Sequence, residues 1–300
     1  MATAGGEANV TEATGSAMPE GLGGLAGMGT VRYVDVEGRR TRYLEAGTGE
    51  PILLVHGWIG SAENFHKWVP ALESRRRMII PDLPGFGETP PLEGRHDVAA
   101  LARFLDAFVK AIGLELFDLG GLCLGATVAI ELARIDPGRV RQLVLHTPIY
   151  SRGAISTGFK VQAALCLNPV VFGIGSRLAR NRLISDFYKR HFVEGPNVDR
   201  FDARVNFENQ IRCSPRAARE WAQSALHGDQ EDWLRNWEQP VLMVVAADDS
   251  ILDHARMQVL TEAMQTAEVV VVPDAGHGWT EALVKAQAAA ISGFLAAEPI

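Results

Sequence analysis

The hydrophobic positions of this chain fall into short unbroken runs set between amphipathic stretches. Pro51-Ile52-Leu53-Leu54-Val55-His56 is apolar up to its last residue. A run so short and so uniform is expected of a strand buried on both faces. The pattern recurs at Arg77–Ile80, Leu116–Gly120, Gln142–His146, Pro240–Ala246 and Glu268–Val272. Helix-period patterns separate many of these runs, over Ala62–Leu72, Val98–Ile112, Leu124–Ile135, Met257–Met264 and Glu281–Leu295. Ahead of them, Thr30–Asp35 and Thr41–Leu44 flank Glu37-Gly38, which reads as a hairpin. Eight short strands, mostly alternating with helices, predict an α/β fold with a doubly wound, mostly parallel sheet.

Residues 148–239 break this rhythm. They hold no clear strand, several aromatics, and helix-like stretches around Gly173–Tyr188 and Pro215–Ala225. The expectation is a helical cap inserted into a core made of residues 30–147 and 240–300. Such a cap would lie over the carboxyl ends of the strands, where open α/β sheets bind ligands. Residues 1–29 are rich in Gly, Ala, Thr and Glu without periodicity and read as a disordered leader. They lack the basic start and apolar core of a secretory signal.

Composition adds exclusions. Of 300 residues, 47% are hydrophobic and 22% charged, enough apolar material for one sizeable core. The net charge of -7 argues against a nucleic-acid or membrane surface. No apolar run reaches the ~18 residues that span a bilayer. Cys123, Cys166 and Cys213 are too few and too scattered for a disulfide framework, and no Cys/His spacing suggests zinc. No metal and no cofactor are expected, and the compartment reads as a reducing cytoplasm. Cys166 and Cys213 read as packing residues.

One cysteine reads differently. Gly121-Leu122-Cys123-Leu124-Gly125 stands between an apolar run and a helical one. A small-x-nucleophile-x-small pentapeptide in that context is a nucleophile elbow. Its glycines suit a strained turn with no room for a Cβ. The helix N-terminus and a neighbouring imidazole both favour thiolate. His56-Gly57-Trp58, ending a buried strand, can aim a backbone N–H at a developing oxyanion. Asp82–Thr89 is a Gly/Pro-rich loop after the next strand, and Asp82 reads as a turn-capping carboxylate. After the last two strands, Ala247-Asp248-Asp249-Ser250 supplies a carboxylate and Gly276-His277-Gly278 an imidazole. Nucleophile, acid, base is the order associated with the elbow. His277 would take the thiol proton, and Asp249 would orient the ring.

These motifs resemble the α/β-hydrolase fold superfamily, in its cap-bearing type, over about residues 30–297. The resemblance implies an eight-stranded sheet. It implies oxyanion-hole amides at Trp58 and Leu124, the residues after the His-Gly pair and after the nucleophile. It prefers Asp249 over Asp248 and Asp253, because Ala246-Ala247-Asp248-Asp249 is similar to the family's Gly-x-x-Asp. Glu281 matches a further family feature, with a structural role. Cysteine occupies the elbow in a minority of that family.

Thiolate is intrinsically more nucleophilic than a neutral hydroxyl, and its acyl product is a thioester. The expected function is therefore hydrolysis of an ester, thioester or lactone through an acyl-cysteine. An acyltransferase would use the same acyl-enzyme with a different acceptor. A non-catalytic ligand-binding protein on a hydrolase scaffold is the third reading, disfavoured by the presence of Asp249 and His277. Phe172, Phe187, Tyr188, Phe192, Phe207, Trp221 and Trp233 make the cap apolar, which suits a small hydrophobic acyl or ring substrate. The remaining expectations are a monomer or homodimer with no nucleic-acid and no membrane partner.

Overall fold

Glu37 and Gly38 both adopt positive φ, 53° and 78°, closing a two-residue turn whose twist suits a hairpin. Asp35 stabilises it by accepting from the Gly38 N–H at 2.8 Å. This hairpin opens the sheet in a computed structural model that describes residues 11–12, 28–192, 200–264, 266–277 and 281–296. The strands are β1 (Thr11–Glu12), β2 (Thr30–Val36), β3 (Arg39–Ala46), β4 (Glu50–Val55), β5 (Arg76–Pro81), β6 (Phe117–Leu122), β7 (Val140–His146), β8 (Val241–Ala246) and β9 (Ala267–Val272). The helices are α1 (Val69–Leu72), α2 (Val98–Ala111), α3 (Leu124–Ile135), α4 (Thr157–Cys166), α5 (Pro169–Leu178), α6 (Arg182–Phe192), α7 (Arg200–Arg212), α8 (Pro215–His227), α9 (Glu231–Arg235), α10 (His254–Ala263) and α11 (Glu281–Ala296).

The sheet runs β1-β2-β3-β5-β4-β6-β7-β8-β9. From β5 to β9 all pairings are parallel, while β1, β2 and β3 attach antiparallel. Strands β2 to β9 are the eight expected, and among the described residues one short strand is added to them. The extra one is β1, two residues of the segment read as a leader, paired with Tyr33 and Arg32. Met28, also in that segment, is buried. Apart from Gly29, the rest of the leader lies outside the described residues.

Alternation along β4 divides the interior in two. Leu53 and Val55 face α2 and α3, while Ile52 and Leu54 face Phe65, Trp68 and α11. The stretch expected as one helix over Ala62–Leu72 is broken. A 3₁₀ turn covers Ala62–Phe65, and α1 starts afresh with Pro70 in its first turn. Proline is compatible with a helix start and not with a helix interior. The Gly173–Tyr188 stretch likewise divides into α5 and α6. The first ends at Leu178 with Ala179 as its C-cap, and Asn181 caps the second, its Oδ1 accepting from the Leu183 N–H at 3.0 Å.

Strand order reverses around β4, since the chain passes from β4 to β5 on one side and returns to β6 on the other. Open α/β sheets bind ligands at such a switch point, beyond the carboxyl ends of the strands. The pairing of Val55 with Gly121 sets the loop after β4 beside the loop after β6.

Candidate active site

Cys123 follows β6 directly and holds φ 50°, ψ −115°. A non-glycine residue there is strained and persists only where its surroundings dictate it. Here the Cys123 N–H donates to the His146 carbonyl of β7 at 2.9 Å, and the Cys123 carbonyl accepts from Ala126 at 3.1 Å. The flanking glycines are needed for close approach. A Cβ on Gly121 would come 2.6 Å from Ala126 Cα, and one on Gly125 would come 2.5 Å from the Val55 carbonyl oxygen. Helix α3 starts at Leu124, so the cysteine stands at its N-terminus.

The loops after β8 and β9 complete a chain of contacts to the sulfur. His277 Nε2 lies 3.1 Å from Cys123 Sγ, and His277 Nδ1 lies 2.7 Å from Asp249 Oδ2. The other carboxylate oxygen of Asp249 accepts from the N–H groups of Ile251 at 2.8 Å and Leu252 at 3.3 Å. Asp249 is buried, Asp248 is exposed, and Asp253 caps α10 by accepting from the Arg256 N–H. Burial lowers the His277 pKa, but the negative charge on Cys123 and the Asp249 carboxylate outweigh it and raise the value to about 10. Burial raises the Asp249 pKa, and its hydrogen bond to His277 outweighs that and holds it below the usual carboxylate range.

The loop after β4 is pinned against the elbow. A Cβ on Gly57 would sit 3.2 Å from the Leu122 carbonyl oxygen and 3.6 Å from Cys123 Cβ. His56 is fully buried, accepting from the Leu83 N–H at 3.0 Å through Nε2 and donating through Nδ1 to the Gly57 carbonyl at 2.8 Å. Desolvation lowers its pKa, which suits the neutral ring these partners require. Gly57, the residue before Trp58, therefore lies beside Cys123, and Leu124 is the first residue of α3. The first amides of a helix have no partner within it. The Trp58 ring reaches away, its Nε1 donating to the Ala218 carbonyl of α8 at 2.9 Å and its face 6.4 Å from the Phe172 ring of α5.

Asp82 caps turns. It accepts from the Ala62 N–H at 2.9 Å, the Glu88 N–H at 2.9 Å and Arg42 Nη1 at 3.0 Å. Arg42, buried on β3, also pairs with Glu63, and the two acids raise its pKa against the desolvation that lowers it. Sequence patterns did not single out Arg42, Glu63 or the pair formed by His146 and Gln287, whose amide donates to that imidazole at 2.8 Å. Of these, only His146 carried a signal, as a polar residue closing the apolar run Leu143-Val144-Leu145. Burial, with the charge of His277 second, lowers the His146 pKa to about 3.

Between β7 and β8 the described residues form six helices, α4 to α9. Trp221 is fully buried and packs edge-on against Phe86 at 5.3 Å. Trp233 lies 4.9 Å from Trp237. Phe207 has the Arg182 guanidinium 6.0 Å from its centroid, and Phe187 is exposed. The side chains of Tyr188, Phe192 and Glu281 lie outside the described residues. Cys213 is buried, its Sγ donating to the Gln210 carbonyl at 3.4 Å. Cys166, expected to pack, is exposed, because it sits on a helix that buries none of its residues.

The family described as alpha/beta hydrolase fold matches residues 50–278. The chain is 26% identical to 2-hydroxy-6-oxo-2,4-heptadienoate hydrolase of Pseudomonas putida, over 83% of this chain and 90% of that protein. It is 28% identical to pimeloyl-[acyl-carrier protein] methyl ester esterase of Neisseria meningitidis, over 75% and 85%. It is 31% identical to the dihydrolipoyllysine-residue acetyltransferase component of the acetoin cleaving system of Pseudomonas putida, over 81% of this chain but only 63% of that protein.

Proposed function

The chain belongs to the alpha/beta hydrolase fold family, and from that premise we propose a hydrolase that cleaves an ester, thioester or lactone through an acyl-cysteine on Cys123. The observation carrying this reading is the contact series Asp249 Oδ2, His277, Cys123 Sγ, with separations of 2.7 and 3.1 Å. In the cycle, Cys123 Sγ as thiolate attacks the acyl carbon and forms a C–S bond. The amides of Trp58 and Leu124 receive the oxyanion. Collapse breaks the bond to the leaving oxygen or sulfur, which takes the proton from His277 Nε2. Water then attacks the thioester, gives a proton to Nε2, and collapse releases the carboxylic acid and the Cys123 thiolate. Asp249 keeps the ring oriented and stabilises its protonated form.

The relatives named as a hydrolase and a methyl ester esterase support hydrolysis. The relative named as an acetyltransferase favours a second reading, in which an alcohol, amine or thiol takes the acyl group in place of water. The cap, taken as residues 148–239, would select a small hydrophobic acyl or ring substrate.

Brief exposure to an ester, thioester and lactone panel, followed by peptide mass spectrometry, should reveal an acyl adduct on Cys123. Turnover should vanish in Cys123→Ala, and undiminished turnover there would sink the reading. Product analysis with added alcohols, amines and thiols separates hydrolysis from transfer. Faster hydrolysis by Cys123→Ser would favour transfer.

A further inference from the structure

Helices α4 and α5 contain no buried residue at all. Ten-residue helices are marginal by themselves and are ordinarily held by an apolar face packed on a core. These two, with α6, present their apolar stripes outward. Leu165 is 65% exposed, Val170 68%, Ile174 53%, Leu178 50%, Leu183 82% and Phe187 60%. Nine of the sixteen large hydrophobic side chains exposed among the described residues lie between positions 161 and 187. Scattered exposed apolar residues need no explanation, but such a concentration marks an interaction surface.

Charge identifies what the surface meets. Residues 152–192 carry seven Lys and Arg against a single acid, Asp186, a local charge of +6 in a chain of net charge -7. Everything else therefore sums to −13. Arg177 and Arg180, flanking the apolar stripe of α5, are exposed. We propose that α4, α5 and α6 form a docking face for the surface of an anionic lipid bilayer. Apolar side chains would enter the acyl boundary while lysines and arginines pair with lipid phosphates, as amphipathic interfacial helices do. A second copy of this chain fits poorly, since it would press +6 against +6. The helices lie on the bilayer instead of crossing it. No single helix among the described residues is long and apolar enough to span, and α4 and α5 meet at 84°. The expectation of no membrane contact came from net charge, which averages this segregation away.

The inner side of α5 meets the site, where Phe172 packs on Trp58. The docking proposal is nevertheless independent of the proposed chemistry, because its test reads binding alone. The full chain is co-sedimented with vesicles of phosphatidylglycerol and phosphatidylcholine, and with phosphatidylcholine vesicles. Binding is expected only with the anionic lipid and should weaken as salt rises. Arg177→Gln with Arg180→Gln should lower partitioning roughly 25-fold. Leu165→Ser with Val170→Ser should lower it at least about tenfold. All four side chains are exposed, so the variants should keep the wild-type unfolding midpoint. The proposal is overturned by absence of binding to anionic vesicles, by equal binding to both lipids, or by variants that bind as wild type. A dimer in sedimentation velocity that Leu165→Ser with Val170→Ser dissolves, without vesicle binding, would assign the face to a second copy and also overturn it.

Discussion

Cys123 ends a strand in which every residue is buried, whereas α4 and α5 bury none of theirs. The strained cysteine is held from all sides: by β7 through its N–H, by β4 through the tight seat of Gly125, and by packed cores on both sheet faces. Helices α4 and α5 rely on local caps, such as Asn168 Oδ1 accepting from the Val170 N–H at 3.0 Å. Helices α7 and α8 are tied down. Asn209 of α7 accepts from Ser61 Oγ at 2.8 Å, and Glu220 of α8 accepts from the His96 N–H at 2.9 Å. Strain can be stored where packing is dense, and surface chemistry can vary where it is absent. The molecule keeps its reactive geometry on the first kind of support and its exposed apolar face on the second.

The largest expected effects test the reactive edge. Asp249→Asn should lower kcat about 10⁴-fold, through the wrong imidazole tautomer, with the fold intact. Cys166→Ser, at an exposed position of α4, should leave kcat unchanged. Comparable losses in both would erase the distinction. Gly125→Ala forces a Cβ into backbone carbonyls of β4 and its loop, so urea unfolding should show a loss of about 3 kcal/mol or more. Leu54→Ala, at a fully buried position, should cost about 2–5 kcal/mol. A smaller loss would mean that the two cores relax more readily than their packing implies.

The same contrast governs what could be read from sequence. Buried strands announce themselves as apolar runs, and α3 spans the expected Leu124–Ile135. The elbow was legible because its glycines and its place between strand and helix leave few alternatives. His277 and Asp249 were legible as loop residues after strands, though their meeting with Cys123 depends on strand order. Arg42, Glu63 and Asp82 were not legible as a network, because their partners lie on different elements with no common periodicity. The division of residues 148–239 into helices was obscured because α4 and α5 lack a buried stripe, so pattern could not mark their ends. The basic, apolar segment behind the proposed docking face is hidden by the net charge of the whole chain.

The buried histidines sharpen the comparison through pH. A ring whose pKa falls to about 3 in the folded state stays neutral while the unfolded ring protonates near 6.5. Below about pH 6.5 the unfolded state binds more protons, so His146 costs stability as pH falls towards 3, by about 1.4 kcal/mol per pH unit. His56 acts in the same direction. His277 acts oppositely. Its raised pKa contributes stability that is full below about 6.5 and lost as pH rises through about 10. His146→Gln should flatten the acid limb of a stability–pH curve and leave the alkaline limb, and His277→Gln should do the reverse. The slopes carry the test even if either variant is less stable overall. An unchanged acid limb in His146→Gln would show that this ring is not held neutral.

The smallest effects test the other side of the comparison. Leu165→Ala should change global stability by less than about 0.5 kcal/mol, since the side chain is already in water. Gly173 lies within α5 with nothing within 4 Å of where a Cβ would be. Gly173→Ala should therefore favour the helix by about 0.5–1 kcal/mol. If α5 opens independently of the sheet, that gain will not raise the urea midpoint. It will appear as about two- to fivefold slower hydrogen exchange of α5 amides, with β6 amides unchanged. A matching rise in midpoint and in β6 protection would make α5 and the sheet one cooperative unit. The Cys123 edge would then depend on the exposed helices it is contrasted with.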